Sequence, residues 1–316
     1  MGEEILVGVS ACLLGQSVRH DGGHKRDAFL TETLAPDVRF VPVCPEVEIG
    51  LGVPREAIHL RRKAGNTRLV GVTSGRDHTE AMIAFARRKV AKLAGFDLCG
   101  YILKKGSPSC GMERVAIHVG DVRKERDGRG VFAATLLERL PLLPVEEEGR
   151  LQDAKLRENF IERLFAYRRI KRLFARRWSA ADLVGFHSRE KMLLLAHDRP
   201  AYAALGRLVA RAGSIPRAEM AHAYAEGFMS ALKRLATRSR HANVLLHMAG
   251  FLRKAVDGAS RRELTSLVED YRLGTVPLIV PLTLIRHHVR VHAIEYLAHQ
   301  SYLEPHPREL ALRNHV

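Results

Sequence analysis

The hydrophobic pattern of this chain changes character once, and that change limits the folds open to it more than any single motif. Up to the stretch Leu143-Pro144-Val145-Glu146-Glu147-Glu148-Gly149, short apolar runs alternate with longer amphipathic ones; from Asp153 onward the pattern is helical almost throughout. Compact apolar runs bounded by turn residues read as buried strands, and strands alternating with helices read as an open, mostly parallel sheet. The expectation is an α/β, Rossmann-like, mostly parallel sheet domain over residues 1–148, followed by an all-α helical domain over residues 151–316. With 316 residues, 46% of them apolar, the chain can build two separate cores.

Ile5–Ser10, Val38–Val43, Gly65–Val72, Cys99–Leu103 and Val115–Val119 are the expected strands. Between them, helices are expected over Asp27–Leu34, over Glu80–Ala94 with Thr79 as N-cap and Gly95 as stop, and over Val131–Arg139. In the second half, Lys155–Phe174 is a long basic amphipathic stretch. Ser179 with Asp182 resembles a capping box opening a helix that runs to His197. Further helices are expected over Pro200–Ala212, Arg217–Thr237, His241–Val256, Arg261–Leu273 and Leu282–Leu297.

Charge is divided unevenly between the halves. Residues 1–150 hold 23 Lys and Arg against 20 Asp and Glu, whereas residues 151–316 hold 28 against 15, so the second half carries most of the net +16. Solvated helix faces account for such an excess, and the same surface admits RNA or another anionic partner. A membrane location is not expected. The amino terminus, Met1-Gly2-Glu3-Glu4, is acidic where a signal peptide would be basic, and the run from Val276 to Ile285 is broken by Pro277 and Pro281. A cytoplasmic protein is the expectation, and there four cysteines point to metal, chemistry or simple burial rather than disulfides.

Three of the four cysteines share a position. Cys12, Cys44 and Cys110 each follow the carboxyl end of an expected strand, and in a parallel sheet those ends lie along the edge where ligands bind. Cys110 sits in the loop Lys104-Lys105-Gly106-Ser107-Pro108-Ser109-Cys110-Gly111, whose glycines, proline and hydroxyls suit a tight turn presenting a reactive side chain. Cys99 lies inside a strand and reads as a small buried hydrophobe. Without a CxxC pair, the three thiols fit neither a zinc ribbon nor a ferredoxin run. Three readings stay open: zinc on the cysteines with a histidine such as His20 or His24, an iron–sulfur cluster lacking one protein ligand, or thiols that bind no metal.

Four segments in order, Val7-Gly8-Val9-Ser10-Ala11-Cys12-Leu13-Leu14-Gly15, Val18-Arg19-His20-Asp21-Gly22-Gly23-His24-Lys25, Val43-Cys44-Pro45-Glu46-Val47-Glu48 and Lys104 to Gly111, resemble the thiouracil desulfidase family over about the first 145 residues. The resemblance implies a 4Fe–4S cluster on Cys12, Cys44 and Cys110, with one unligated iron taking the sulfur of a thiolated pyrimidine of the 2-thiouracil or 4-thiouracil type. Water then replaces that sulfur without net redox change. The family's acidic residue maps to Glu46 and its serine to Ser107. Elementary chemistry agrees: sulfur is a soft donor for iron, a carboxylate can manage the proton of an attacking water, and a hydroxyl can bind the ring or developing charge. Residues 151–316 resemble the YbgA-like helical domain, as in His241-Ala242-Asn243-Val244-Leu245-Leu246-His247-Met248 and Tyr302-Leu303-Glu304-Pro305-His306-Pro307. That second resemblance implies no activity.

Rival readings use the same residues. One is a nucleic-acid-binding protein with a structural or sensory cluster and the basic half as its contact surface. Another is a zinc-dependent hydrolase or deaminase on the same cysteines, which lacks the HxE partner of zinc deaminases. Glu48 suits either acid–base work or a salt bridge, and Lys104 and Lys105 either raise thiolate character at Cys110 or are solvated. His20, Asp21 and His24 could line the pocket mouth or build the loop. His288 and His292 have a spacing that could hold a metal, and Trp178 reads as a packing residue.

Overall fold

A computed structural model of the chain describes residues 5–63, 65–120 and 123–315, so the acidic stretch Met1 to Glu4 lies outside the described residues. Ile5–Ser10 (β1) is an almost wholly buried strand with parallel partners on both sides, Val38–Val43 (β2) and Leu98–Leu103 (β5). Burial on both faces explains why β1 and β5 read as unbroken apolar runs. Val145–Glu147 (β8) adds a fourth parallel strand against β5, giving the order β2-β1-β5-β8. Gly8 has a packing reason: a Cβ there would lie 2.2 Å from the Tyr101 ring, which occupies the neighbouring position on β5. Thr79–Ala94 (α2) buries Met82, Phe85, Ala86, Val90 and Leu93, as its spacing requires. It packs with Val131–Arg139 (α3) through Phe85 and Phe132, whose rings are 6.3 Å apart.

Two of the expected strands belong elsewhere. Ile58–Lys63 (β3), Asn66–Gly71 (β4), Val115–Val119 (β6) and Arg123–Gly128 (β7) form a second, mixed sheet in the order β4-β3-β6-β7. Only its β3–β6 contact is parallel. Other local readings shift as well. His78, not Thr79, is the N-cap of α2; the Thr79 hydroxyl accepts the Leu69 N–H at 2.8 Å and so ties the helix to β4. The helix expected over Asp27–Leu34 is a π-helical turn, Phe29–Leu34.

The chain divides into two compact units, Met1–Gln152 and Asp153–Val316. The second is helical: Ala154–Phe174 (α4), Ala180–Arg189 (α5), Lys191–His197 (α6), Arg199–Val209 (α7), Arg217–Leu232 (α8), Arg238–Leu252 (α9), Gly258–Leu273 (α10), Ile279–Val291 (α11) and the short Glu295–Ala298 (α12). The Ser179–Asp182 capping box is present, but the helix it opens ends at Arg189 instead of His197. At the break, buried Glu190 accepts hydrogen bonds from Arg169 at 2.7 and 3.0 Å and from Ser301 at 2.7 Å. No described helix is long and apolar enough to cross a membrane.

The two segments that carry the YbgA-like resemblance meet inside this unit. His241 of α9 lies 2.7 Å from the Tyr302 hydroxyl, and Arg313 stacks over the Tyr302 ring. Arg313 also binds Glu158 at 3.1 Å and Glu162 at 3.2 Å, all three being buried. Removing one member of a buried ion pair leaves charge without compensation, a cost of roughly 3–5 kcal/mol. Arg313→Met should therefore lower the unfolding free energy of the full chain by about that amount, read from chemical denaturation; a loss below about 1 kcal/mol would show the pairing to be incidental.

Candidate active site

The carboxyl ends of β1, β2 and β5 lie side by side, and the chain leaves each with a cysteine. Cys12 sits in the 3-10 turn Ala11–Leu14 that follows β1. Cys44 follows β2 as the N-cap of the short helix Pro45–Glu48 (α1), where Pro45 is preset for a first helical turn. Cys110 lies farther along, at the end of the loop after β5. All three line one cavity of about 260 Å³, together with Glu46, Ser107, Arg55 and His20. Cys99, mid-strand, is buried and does not line it.

The loop from Lys104 to Cys110 is held by hydrogen bonds along its length. The Ser10 hydroxyl accepts the Lys104 N–H at 3.0 Å, and Ser107 Oγ accepts the N–H groups of Ser109 and Cys110 at 3.2 and 3.1 Å. The first turn of α3 covers its far side, with Phe132 and Ala133 donating to the Ser109 carbonyl at 3.0 and 3.2 Å. Gly130 is required there, because a Cβ would sit 2.5 Å from the Ser109 backbone. Beyond β8, Glu148 accepts the Lys105 N–H at 2.6 Å and pairs with Lys104 Nζ, while Glu147 accepts the Met112 N–H at 2.8 Å. The run of glutamates that marks the pattern change is therefore part of the scaffold that fixes the loop.

Glu46 is the carboxylate on the cavity wall, and both its oxygens are engaged. Oε2 accepts from Arg55 Nη2 at 2.6 Å and Nε at 3.2 Å, and Oε1 accepts from Ser109 Oγ at 2.9 Å. Arg55 is itself pinned by the carbonyls of Gly52 at 2.8 Å and Val18 at 3.0 Å. With side-chain exposures of 5% for Arg55 and 14% for Glu46, the pair is largely sheltered from solvent. Sequence reasoning did not single out Arg55 or Ser109. Ser107 lines the cavity and Ser109 does not.

Burial raises the proton affinity of all three thiols. Cys12 is pushed up to about 11, first by burial and then by Cys44. Cys44 is raised by burial against the backbone N–H of Val47, and Cys110 by burial against a hydrogen bond with Ser10. Cys44 acts on Cys12, and both act on Cys110. Among the described residues, however, no three His, Cys, Asp or Glu side chains stand at the spacing of ligands to a single metal ion.

The remaining candidates separate. His20 lines the cavity, whereas His24 accepts the Arg26 N–H at 3.2 Å and Asp21 accepts the Gly23 N–H at 3.0 Å, so both shape the loop. Glu48 pairs with Lys89 at 2.7 Å and is not on the cavity wall. Lys104 is tied to Glu148, and Lys105 is exposed on the rim. In the helical unit, the His288 and His292 rings stack at 5.8 Å, and Trp178 packs edge-on against Phe174.

Comparison with known proteins matches both halves. Residues 7–148 match the family described as 2-thiouracil desulfurase, and residues 191–307 match a protein family of unknown function, DUF1722. The uncharacterized protein YbgA of Escherichia coli strain K12 is 33% identical over 153 residues, 48% of this chain and 90% of that protein. The uncharacterized protein YbbK of Bacillus subtilis strain 168 is 33% identical over 134 residues, 40% of this chain and 87% of that protein. A solved structure described as the 4Fe–4S-dependent thiouracil desulfidase TudS is 32% identical, with a TM-score of 0.39, covering 48% of this chain and 94% of that one. The chain belongs to the 2-thiouracil desulfurase family through its amino-terminal half, joined to a YbgA-like carboxyl-terminal region.

Proposed function

We propose that the amino-terminal unit removes the sulfur of a thiolated uracil by hydrolysis, so that C=S and H₂O become C=O and H₂S with no net redox change. The observation that carries this reading is the meeting of three strand-end thiols and one doubly held carboxylate on a single cavity. The donor set fits a 4Fe–4S cluster. Its sulfurs are soft ligands that three separate segments bring onto one cavity. Cys12, Cys44 and Cys110 would hold the cluster, which would leave one iron without a protein ligand. When bound, that iron supplies a Lewis acid for a soft sulfur donor.

The protein's own side chains do the rest. Glu46 accepts the proton of the attacking water, with Arg55 and Ser109 as positioning residues that fix its two oxygens. Ser107 spends its lone pairs on two backbone N–H groups, which leaves its O–H free to donate to the ring or to developing charge. The basic charge of residues 151–316 suits a base carried on a larger anion, RNA included. A cytoplasmic setting keeps the thiols reduced.

The test is turnover of 2-thiouracil and 4-thiouracil by anaerobically purified full-length protein in ¹⁸O-labelled water. Uracil should gain one ¹⁸O for each sulfide released, with no reductant added. Unlabelled uracil, or sulfur release that requires a reductant, would overturn the hydrolytic reading.

A further inference from the structure

A cavity of about 770 Å³ lies in the helical unit, to which the reading above assigns no chemistry. It is built by α6, α7 and α9. Helix α9 contributes Arg240, Asn243, Val244 and His247, a spacing that places all four on one face. From α7 come Arg199 and Tyr202, and from α6 Leu195. The volume lies within the range of small-molecule sites.

Its wall carries two guanidinium groups and no carboxylate. Asp198, the acid next to Arg199 in sequence, is engaged elsewhere: it accepts the Ala201 N–H at 3.2 Å and pairs with Arg234 at 3.0 Å. Arg199 has no ion pair among the described residues. Arg240 is fixed by one hydrogen bond to the His197 carbonyl at 2.7 Å, which leaves its other N–H groups available. Guanidinium forks without a carboxylate partner match the oxygens of a phosphate or carboxylate.

The apolar part of the wall favours a flat body on that anion. The Tyr202 ring lies parallel to His187, 4° off, at 5.1 Å, and His187 is held in turn by the Tyr224 hydroxyl at 3.0 Å. This makes Tyr202 a braced plate on a wall it shares with Leu195 and Val244. The exposed Asn243 amide offers both a donor and an acceptor to the edge of a ring. We propose that this cavity binds a heteroaromatic anion, a flat ring with polar edges carrying a phosphate or carboxylate, its charge at Arg199 and Arg240 and its ring against Tyr202.

The test uses the full-length protein and calorimetric titration with AMP, UMP and orotate, set against adenosine, uridine and inorganic phosphate. At least one ring-bearing anion should bind, and roughly tenfold more tightly than its uncharged or ringless counterpart. The monophosphates and orotate distinguish a phosphate from a carboxylate as the charged group. Arg199→Gln and Tyr202→Leu should each weaken that binding roughly tenfold. Arg199 is exposed, so its variant should keep the melting temperature of the unliganded protein. Glu46→Gln, in the other unit, should leave the affinity unchanged. The proposal fails if no ring-bearing anion binds at millimolar concentration, or if adenosine and uridine bind equally well. It also fails if affinity follows Glu46 and not Arg199.

Discussion

Cys12→Ala, Cys44→Ala and Cys110→Ala are each expected to yield protein that retains its fold but holds neither iron nor sulfide and releases no sulfur from 2-thiouracil. The three side chains come from three separate segments and enclose one cavity, so each removes a donor that no neighbour can replace. His24 is held in its own loop, and Glu46 is committed on both oxygens to Arg55 and Ser109. Cys99→Ala is the control. Its sulfur is buried within β5 and lies 3.7 Å from the Asp97 carbonyl, so its loss should cost packing alone. Iron and sulfide analysis per chain, with the visible absorption of the purified protein, reads the result. Full iron and sulfide in any one of the three variants would remove that residue from the ligand set.

How much of this was legible in the sequence follows from where each strand lies. β1 and β5 stand out because central parallel strands are apolar, the edge strand β2 still shows a short apolar run, and the cysteines after their ends then fall into place. β3 and β7 escape notice for the opposite reason. Their sequences, Ile-His-Leu-Arg-Arg-Lys and Arg-Lys-Glu-Arg-Asp-Gly, belong to a sheet with exposed positions and carry little apolar signal. Assigning β4 and β6 to the parallel sheet was the natural error once their charged neighbours went unread. β8 is three residues long, follows Pro144 and takes in the first two residues of the glutamate run that marks the pattern change.

In the site, residue type and strand position picked out the three thiols, whereas Glu46 entered through the family resemblance. Neither was enough for Arg55, whose value comes from a loop that folds back nine residues later, or for Ser109, which differs from Ser107 only in the direction the turn gives it. A usable signal did exist for Arg55. A carboxylate proposed for proton transfer inside a cavity calls for a charged or hydrogen-bonding partner, and Arg55 is the first arginine after it. The YbgA-like segments were legible as segments but not as a structure. Only the fold brings His241 to Tyr302, and Arg313 to Glu158 and Glu162.

Glu46→Gln is expected to lower turnover of 2-thiouracil per loaded cluster by roughly 10²–10⁴-fold, the usual worth of one general base. The geometry makes this substitution unusually clean. With its amide oxygen toward Arg55 and its NH₂ toward Ser109, whose hydroxyl can turn to accept, glutamine keeps both partners that hold Glu46. What disappears is the capacity to take a proton from water. Iron and sulfide content should stay at the wild-type level, because Glu46 is not among the thiol donors, and this separates a chemical defect from a loading defect. Arg55→Met provides the complementary case. It leaves the carboxylate in place but frees it from its fixed position, so it should also slow turnover and, unlike Glu46→Gln, disturb the segment around Val18 that Arg55 binds. If Glu46→Gln turned over at the wild-type rate with a full cluster, the proton would have to pass to another group. His20 is the histidine on the same wall, and a water deprotonated by the metal itself would need no side chain at all. The His20→Asn variant, assayed beside Glu46→Gln, distinguishes those two outcomes.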